Sequence, residues 1–395
     1  MGDQENTIEV DLARSRELQR KLAEELVAKG AIRSPEWRAI FERTPRHPFI
    51  PRFYRRVEND HRTPYLFLDG ARPDLRDGWL RAVYADETLV TQLDGYIATS
   101  SSTIPSTMAR MLETLDLKDG QRVLEIGTGT GYNAALLCER LGSERVTTID
   151  IDPGLVAVAT RRLQEQGYVP TVATADGAQG YPPNAPYDRI IATCCVTRIP
   201  NAWLEQCRPG MIVTDLWGTV GHRGALVRIE VFQDGSARGR FLPYPGGFMA
   251  LRGTTDTHEE WMGRARAVLD KGGDTRPTAL SGRVLEDDTF AIFAGLSIPS
   301  VWSIRRIQPH GESLYLVHRD NASWARLTES PDGEDHAVTQ GGPRRLCDEL
   351  ELAHDRWLKL GRPTRDRYGV SVSSLGRQSV WIDTPDSEHT WELPG

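Results

Sequence analysis

Between Asp11 and Lys29, Leu18, Leu22 and Leu26 recur every four residues while Glu and Lys fill the intervening positions. That period predicts an amphipathic helix, which Gly30 ends. Ser34-Pro35 then reads as an N-cap and a first-turn proline opening a second, short helix. His47 to Arg56, rich in proline and aromatics, reads as irregular. From Arg122 the pattern changes to strand, glycine turn, helix. Arg122 to Ile126 predicts a buried strand, Gly127 to Gly131 a loop, Asn133 to Leu141 a helix and Arg145 to Asp150 the next strand. Asp152-Pro153 caps a helix running to about Gln166, and strands follow at Thr171 to Ala175, Tyr187 to Thr193 and Met211 to Trp217. Alternation of this kind argues for a parallel sheet covered by helices. After Gly224 it stops: Ala225 to Phe232 and Ala237 to Tyr244 flank Gln233-Asp234-Gly235-Ser236 and predict a hairpin, so the sheet ends antiparallel. The last part mixes short β-like runs (Ser313 to Val317, Val370 to Ser373, Ser379 to Ile382) with one helix, about Arg345 to Leu360.

These elements predict an α/β protein with a small C-terminal α+β domain. The expected divisions are a helical N-terminal segment over 1–80, an α/β core over 81–252, a join over 253–280 and the C-terminal domain over 281–395. The join carries Gly253-Thr254-Thr255, a short helical stretch around Glu259 to Leu269, and Lys271-Gly272-Gly273-Asp274. The length of 395 residues fits two or three domains. The net charge of -7 argues against a chain-wide basic surface, hence against nucleic acid as a partner. The charge is uneven: residues 256–395 hold 17 Lys+Arg against 23 Asp+Glu, and the first 255 hold 31 against 32. Five cysteines without a CxxC pair point to a reducing compartment and to no structural zinc, and the nine histidines form no HExxH, so no metal is expected. Met1 to Val10 lacks an apolar run and no stretch is long enough to span a bilayer, so a cytoplasmic location is expected, with no membrane partner.

The candidate chemistry starts at Glu125-Ile126-Gly127-Thr128-Gly129-Thr130-Gly131, which follows a strand and opens a helix. Glycines let backbone approach a ligand, and a helix start adds exposed N–H groups. A dinucleotide loop reads G-x-G-x-x-G. Here the third glycine comes one residue early and Tyr132 fills its place. The acid two residues before the first glycine suits a cationic ligand such as S-adenosylmethionine and would repel a pyrophosphate. Asp150 ends the second strand, where a carboxylate can accept both ribose hydroxyls, and Asp176-Gly177 ends the third, where one can accept from an adenine amino group. Helix capping is the other use of such acids. The expected cofactor set is Glu125, Gly127, Thr128, Gly129, Gly131, Asp150, Ile151, Asp176 and Gly177, with S-adenosylmethionine as cofactor and S-adenosylhomocysteine as product.

Thr44-Pro45-Arg46-His47-Pro48-Phe49-Ile50-Pro51, Thr103-Ile104-Pro105 with Met108 to Leu112, Val123 to Tyr132, Asp176-Gly177, Tyr187-Asp188 and Arg208-Pro209-Gly210 together resemble the protein-L-isoaspartate O-methyltransferase family over about Leu18 to Arg252. The resemblance implies a class I S-adenosylmethionine-dependent methyltransferase fold: a Rossmann-like seven-stranded sheet with an antiparallel last strand. It also implies carboxyl methylation of aspartyl or isoaspartyl residues in a protein or peptide. The family's active-site serine falls on Thr103, which keeps a hydroxyl but adds a methyl group. Ser100, Ser101 and Ser102 precede it, so a shifted hydroxyl, Ser102 first, can share the role. Capping of the helix at Pro105 is the other reading of this Ser/Thr run. Ser100, Ser101 and Cys195 are expected on the substrate side, although Cys194 and Cys195 also suit buried apolar positions.

Gln340 to Leu346 and the helix through Trp357 to Gly361-Arg362-Pro363 resemble the methyltransferases that accompany ribosomally made peptide natural products of the graspetide and lanthipeptide kinds. That likeness implies methylation of an ordinary Asp in a macrocyclised peptide, followed by closure to an aspartimide (succinimide). Arg344, Arg345, Arg362, Arg365 and Arg367 then offer a basic patch for an acidic peptide, or a salt-bridged face. Trp302, Trp324, Trp357, Trp381 and Trp391 suit core or interface. Three alternatives stand beside this reading: repair of isoaspartyl damage in general proteins, a nicotinamide-dependent oxidoreductase, and a non-catalytic peptide-binding derivative. The sequence leaves the oligomeric state open.

Overall fold

A computed structural model describes residues 11–57, 65–217, 224–252, 263, 266–268, 271–308, 311–320, 322–329 and 336–393. Met1 to Val10 and most of the expected helix around Glu259 lie outside the described residues. The chain folds as two compact units, one of Met1–Thr193 with Glu205–Val213, the other of Cys194–Leu204 with Thr214–Gly395.

The first unit begins with α1 (Leu12–Ala28), whose cap Asp11 accepts from the N–H groups of Ala13 and Arg14 and whose Leu22, Ala23 and Leu26 are buried. In α2 (Pro35–Arg43) Ser34 Oγ accepts from Trp37 N. Strands β1 (Arg52–Arg56) and β2 (Tyr65–Asp69), helix α3 (Arg76–Val83), and strands β3 (Leu89–Asp94) and β4 (Ile97–Ser102) follow, ahead of α4 (Pro105–Leu115). The four strands form an antiparallel sheet in the order β2-β1-β3-β4. The expectation of a helical segment over 1–80 is therefore corrected. Tyr54 and Phe67 meet at 5.1 Å on neighbouring strands, a cross-strand aromatic pair whose first member lies in the His47 to Arg56 stretch expected to be irregular.

The α/β pattern then runs as expected: β5 (Val123–Ile126), α5 (Tyr132–Leu141), β6 (Val146–Asp150), α6 (Pro153–Glu165), β7 (Thr171–Thr174), β8 (Arg189–Val196), α7 (Asn201–Gln206) and β9 (Gly210–Trp217). β5 pairs in parallel with both β6 and β8, and β6 with β7. All four residues of β5 are buried, and β6 and β8 flank it on either side. The boundary between the units falls inside β8 and β9.

In the second unit β10 (Gly224–Val231) and β11 (Ala237–Pro245) make the antiparallel hairpin, completing the expected seven strands. Strand β12 (Asp274–Pro277), α8 (Asp288–Ser297), β13 (Val301–Gln308), β14 (Gly311–His318), β15 (Trp324–Glu329), β16 (His336–Gly341), α9 (Leu346–Lys359), β17 (Tyr368–Val372), β18 (Gln378–Ile382) and β19 (Thr390–Glu392) follow. Strands β12 to β16 form their own antiparallel sheet, in the order β12-β16-β15-β14-β13. Leu346, Leu350, Ala353 and Trp357 give α9 one buried face.

Two expected boundaries move. The hairpin belongs with the second unit, and residues 281–395 are not self-contained. β17 pairs with β11, and β18 and β19 follow it outward. An unpaired β11 edge would expose a row of backbone donors and acceptors, and β17 satisfies it. The closest fit in this extension is at Gly369, where a Cβ would stand 2.2 Å from the indole of Trp381, itself 1% exposed. Gly369→Ala is expected to destabilise the protein by about 1–3 kcal/mol through overpacking. Thermal and urea unfolding would show it as a lower midpoint.

Candidate active site

The carboxyl end of β5 becomes a loop whose three glycines all take positive φ: +98° at Gly127, +51° at Gly129 and +88° at Gly131. The turn is tight because Gly127 and Thr128 both donate to Ile149 O, at 2.8 and 3.1 Å. A Cβ on Gly127 would lie 2.5 Å from Thr193 Oγ1, and one on Gly131 would lie 3.3 Å from Ala159 Cβ. The loop is thus a backbone cradle, walled on one side by β8 and seated on α6. Gly129 N donates to Asp150 Oδ2 at 3.0 Å, which fixes the carboxylate at the end of β6 beside the loop. Asp150 Oδ1 accepts from Asp152 N at 3.1 Å. Ile151, next along, is 41% exposed, an apolar platform at a strand end. Asp176 caps a short turn by accepting from Ala178 N at 2.9 Å, and Gly177 is buried beside it.

Glu125 lies beneath the loop, fully buried, and is absent from the cavity wall. It accepts from Asn133 Nδ2 at 2.7 Å and from Thr148 Oγ1 at 2.6 Å, and Thr148 Oγ1 shares a 2.7 Å bond with Thr128 Oγ1. Desolvation raises its pKa to about 7, against the two hydrogen bonds that favour the anion. Glu125, expected to pair directly with a ligand cation, is instead bonded to the residues around the loop.

The cavity above the loop is lined by Ser101, Ser102, Thr103, Pro105 and Met108 on one side and by Gly127 to Thr130, Tyr132, Asn133 and Thr193 on the other. β4 delivers the serines, and Pro105 starts α4 directly after Thr103, so the hydroxyl run sits on a strand-to-helix turn. Ser100 is buried and accepts from Thr91 Oγ1 at 3.2 Å, next to Gly129. Ser102 Oγ and Thr103 O each accept from Arg46 Nη2 at 3.1 Å. The hydroxyls do not cap α4 with a side-chain hydrogen bond. His47 beside Arg46 is mostly buried, its pKa lowered to about 4 by desolvation, and its Nδ1 meets Tyr84 Oη at 2.8 Å. It is neutral at physiological pH.

The structure therefore brings together Ser101, Ser102, Thr103, Gly127, Thr128 and Gly129 around one cavity, with Asp150 tied to the loop. It corrects the other substrate-side expectations. Cys195 is 2% exposed, its thiol pKa raised by burial, and its backbone is paired with Met249 O and Leu251 N. The basic patch does not form as free cations. Arg344 pairs with Glu349, Arg345 with Asp274, Arg365 with Asp288 and Arg367 with Asp383, while Arg362 stacks over Trp357. Asn133, Thr148 and Thr193 escaped the sequence reading because nothing in their spacing marks them. Arg46 lies inside the Thr44 to Pro51 stretch, where no local pattern singles it out.

The family model for protein-L-isoaspartate(D-aspartate) O-methyltransferase matches residues 75–236. The chain is similar to a protein-L-isoaspartate O-methyltransferase of Ignicoccus hospitalis, 34% identical over 199 residues, which are 50% of this chain and 80% of that protein. It is likewise similar to one of Methanopyrus kandleri, 34% identical over 232 residues, which are 57% of this chain and 87% of that protein. A solved structure titled protein-L-isoaspartate O-methyltransferase aligns with 93% of this chain and 100% of its own, with a TM-score of 0.54 at 20% identity. That likeness shows the fold, the expected class I methyltransferase arrangement.

Gly127→Ala is expected to weaken cofactor binding tenfold or more, about 1.4 kcal/mol upward. Adding Thr193→Ala removes the clash but not the left-handed strain, so calorimetry on the double variant should show partial recovery. Glu125 gives a pH signature. Its folded-state pKa lies above the ordinary 4.5, so the folded protein holds the proton more tightly, and stability falls as pH rises from 4.5 through about 7. Glu125→Gln has no proton to lose, and denaturation midpoints measured across that window should flatten.

Proposed function

The chain belongs to the protein-L-isoaspartate O-methyltransferase family, and on that premise we propose that it transfers a methyl group to the side-chain or isoaspartyl carboxylate of an aspartate-derived residue in a protein or peptide. The methyl donor is S-adenosyl-L-methionine. The observation that carries the proposal is a cavity with glycine-loop backbone on one wall and three consecutive hydroxyl residues, Ser101 to Thr103, on the other. The cradle fits the cofactor: positive-φ glycines leave room for backbone approach, Asp150 stands at the strand end for ribose hydroxyls, and Ile151 offers an apolar surface for a base.

When bound, the cofactor supplies an electrophilic methyl group on a positively charged sulfur. The substrate carboxylate is already ionised at neutral pH, so it brings the electron pair and no proton has to move. This accounts for a site whose neighbouring imidazole, His47 beside Arg46, is held neutral and engaged with Tyr84. The work left to the protein is alignment and exclusion of water. Thr103 and Ser102 orient the carboxylate through their hydroxyls, and Pro105 fixes the turn that presents them. Thr103→Ala is expected to lower kcat about tenfold or more, and Thr103→Ser to retain most of it, in a methyl-transfer assay.

A finer reading takes the substrate as an ordinary Asp of a ribosomally made, macrocyclised peptide, with the ester closing to an aspartimide and with residues 281–395 selecting the peptide. It is favoured by the fold after residue 252, beyond the 75–236 match, where a separate five-stranded sheet is built. General isoaspartyl repair is the simpler use of the same site. Purified protein given labelled S-adenosylmethionine with linear isoaspartyl peptides and with cyclised Asp peptides separates them. Turnover of the linear peptides alone removes the finer reading, and turnover of neither overturns the proposal.

A further inference from the structure

Arg46 is completely buried, and among the described residues no carboxylate hydrogen-bonds it. Nη1 donates to Val83 O at 2.8 Å and to Ala85 O at 3.2 Å. Nη2 donates to Ser102 Oγ and Thr103 O at 3.1 Å each, with Glu87 O further off at 3.5 Å. Nε has no partner. The neighbouring acid, Asp86, spends its oxygens elsewhere, on Lys29 Nζ at 2.7 Å and Ser106 N at 2.8 Å. The two phenols nearby, Tyr84 and Tyr132, have pKa values raised by burial and are neutral. A buried cation with no acid hydrogen-bonded to it is costly to keep, with Asp86 acting on it only through space.

The position says which anion. Ser102 and Thr103 line the cavity, and the guanidinium stands directly behind them. Ser102 Oγ accepts from Arg46, which leaves its own proton to donate forward, and no acceptor for it is found among the described residues. A donor of this kind is strengthened by the charge behind it. We infer that Arg46 is the counter-charge for the substrate carboxylate, acting through the Ser102 hydroxyl, and that it makes the site select an ionised carboxylate over a neutral group of the same shape. The inference rests on the carboxyl-methylation reading above and extends it. It also bears on turnover: the methyl ester product is neutral, so the interaction that draws the substrate in is lost once the bond to carbon has formed. Arg46 touches no reacting atom and is a positioning residue.

The test uses the full chain loaded with S-adenosylhomocysteine. The Kd of the peptide that the enzyme methylates is measured by calorimetry, alongside the same peptide with its target carboxylate replaced by a carboxamide. Wild-type protein should prefer the carboxylate about tenfold or more. In Arg46→Met the preference should fall to near unity while S-adenosylhomocysteine binds within about twofold of wild type. A merely structural role would weaken both peptides alike and keep their ratio, and that result overturns the inference. If Arg46→Met does not fold, Ser102→Ala takes its place: a preference reduced severalfold supports the relay, and an unchanged one overturns it. Wild-type protein that methylates a peptide without preferring its carboxylate overturns this inference alone. Wild-type protein that methylates neither kind of peptide overturns the reading beneath it as well.

Discussion

One buried carboxylate ties the glycine loop to the sheet and helix around it. Glu125 sits at the end of the central strand and takes hydrogen bonds from Asn133 on the following helix and Thr148 on the neighbouring strand, with Thr128 of the loop bonded to Thr148 in turn. Strand, helix, second strand and loop therefore share a single anchor. Only a residue that accepts at two oxygens can serve all of them, and its burial raises its pKa to about 7. The fold accepts that cost because the loop above has little of its own to hold it. Three left-handed glycines give the backbone its shape but no side chains to pack.

The same economy runs through the chemistry. A carboxylate attacking a sulfonium methyl needs no base, and among the described residues none lines the cavity. His47 is neutral and bonded to a tyrosine, the lining offers hydroxyls and backbone, and the buried guanidinium of Arg46 stands one residue layer back. Holding the cation behind the wall keeps the wall itself neutral. The cofactor is itself positively charged, and a guanidinium in direct contact with the cavity would oppose its binding.

What could be read from the sequence followed from period and punctuation. The helices capped by Asp11, Ser34 and Asp152 begin where their caps stand, and the strands from Val123 to Trp217 fall within a residue or three of expectation. The β1–β4 sheet escapes the sequence because its strands are short and only partly buried, so neither alternation nor a continuous apolar run marks them. The hydroxyl run and the glycine loop were legible because local geometry demands those residue types. Asn133, Thr148 and Arg46 were not, since their roles come from long-range contacts. Arg46 meets Ser102 across 56 positions of chain, and nothing in its neighbours says where its donors go.

The charge asymmetry of the chain resolves differently from its first reading. Residues 256–395 carry six more acids than bases, and an acidic peptide would need free arginines there. The arginines in question are committed, four of them to acids and one to a tryptophan face. Surface pairs of this kind contribute little to stability. In the first unit, by contrast, the guanidinium of Arg46 has no acid bonded to it among the described residues.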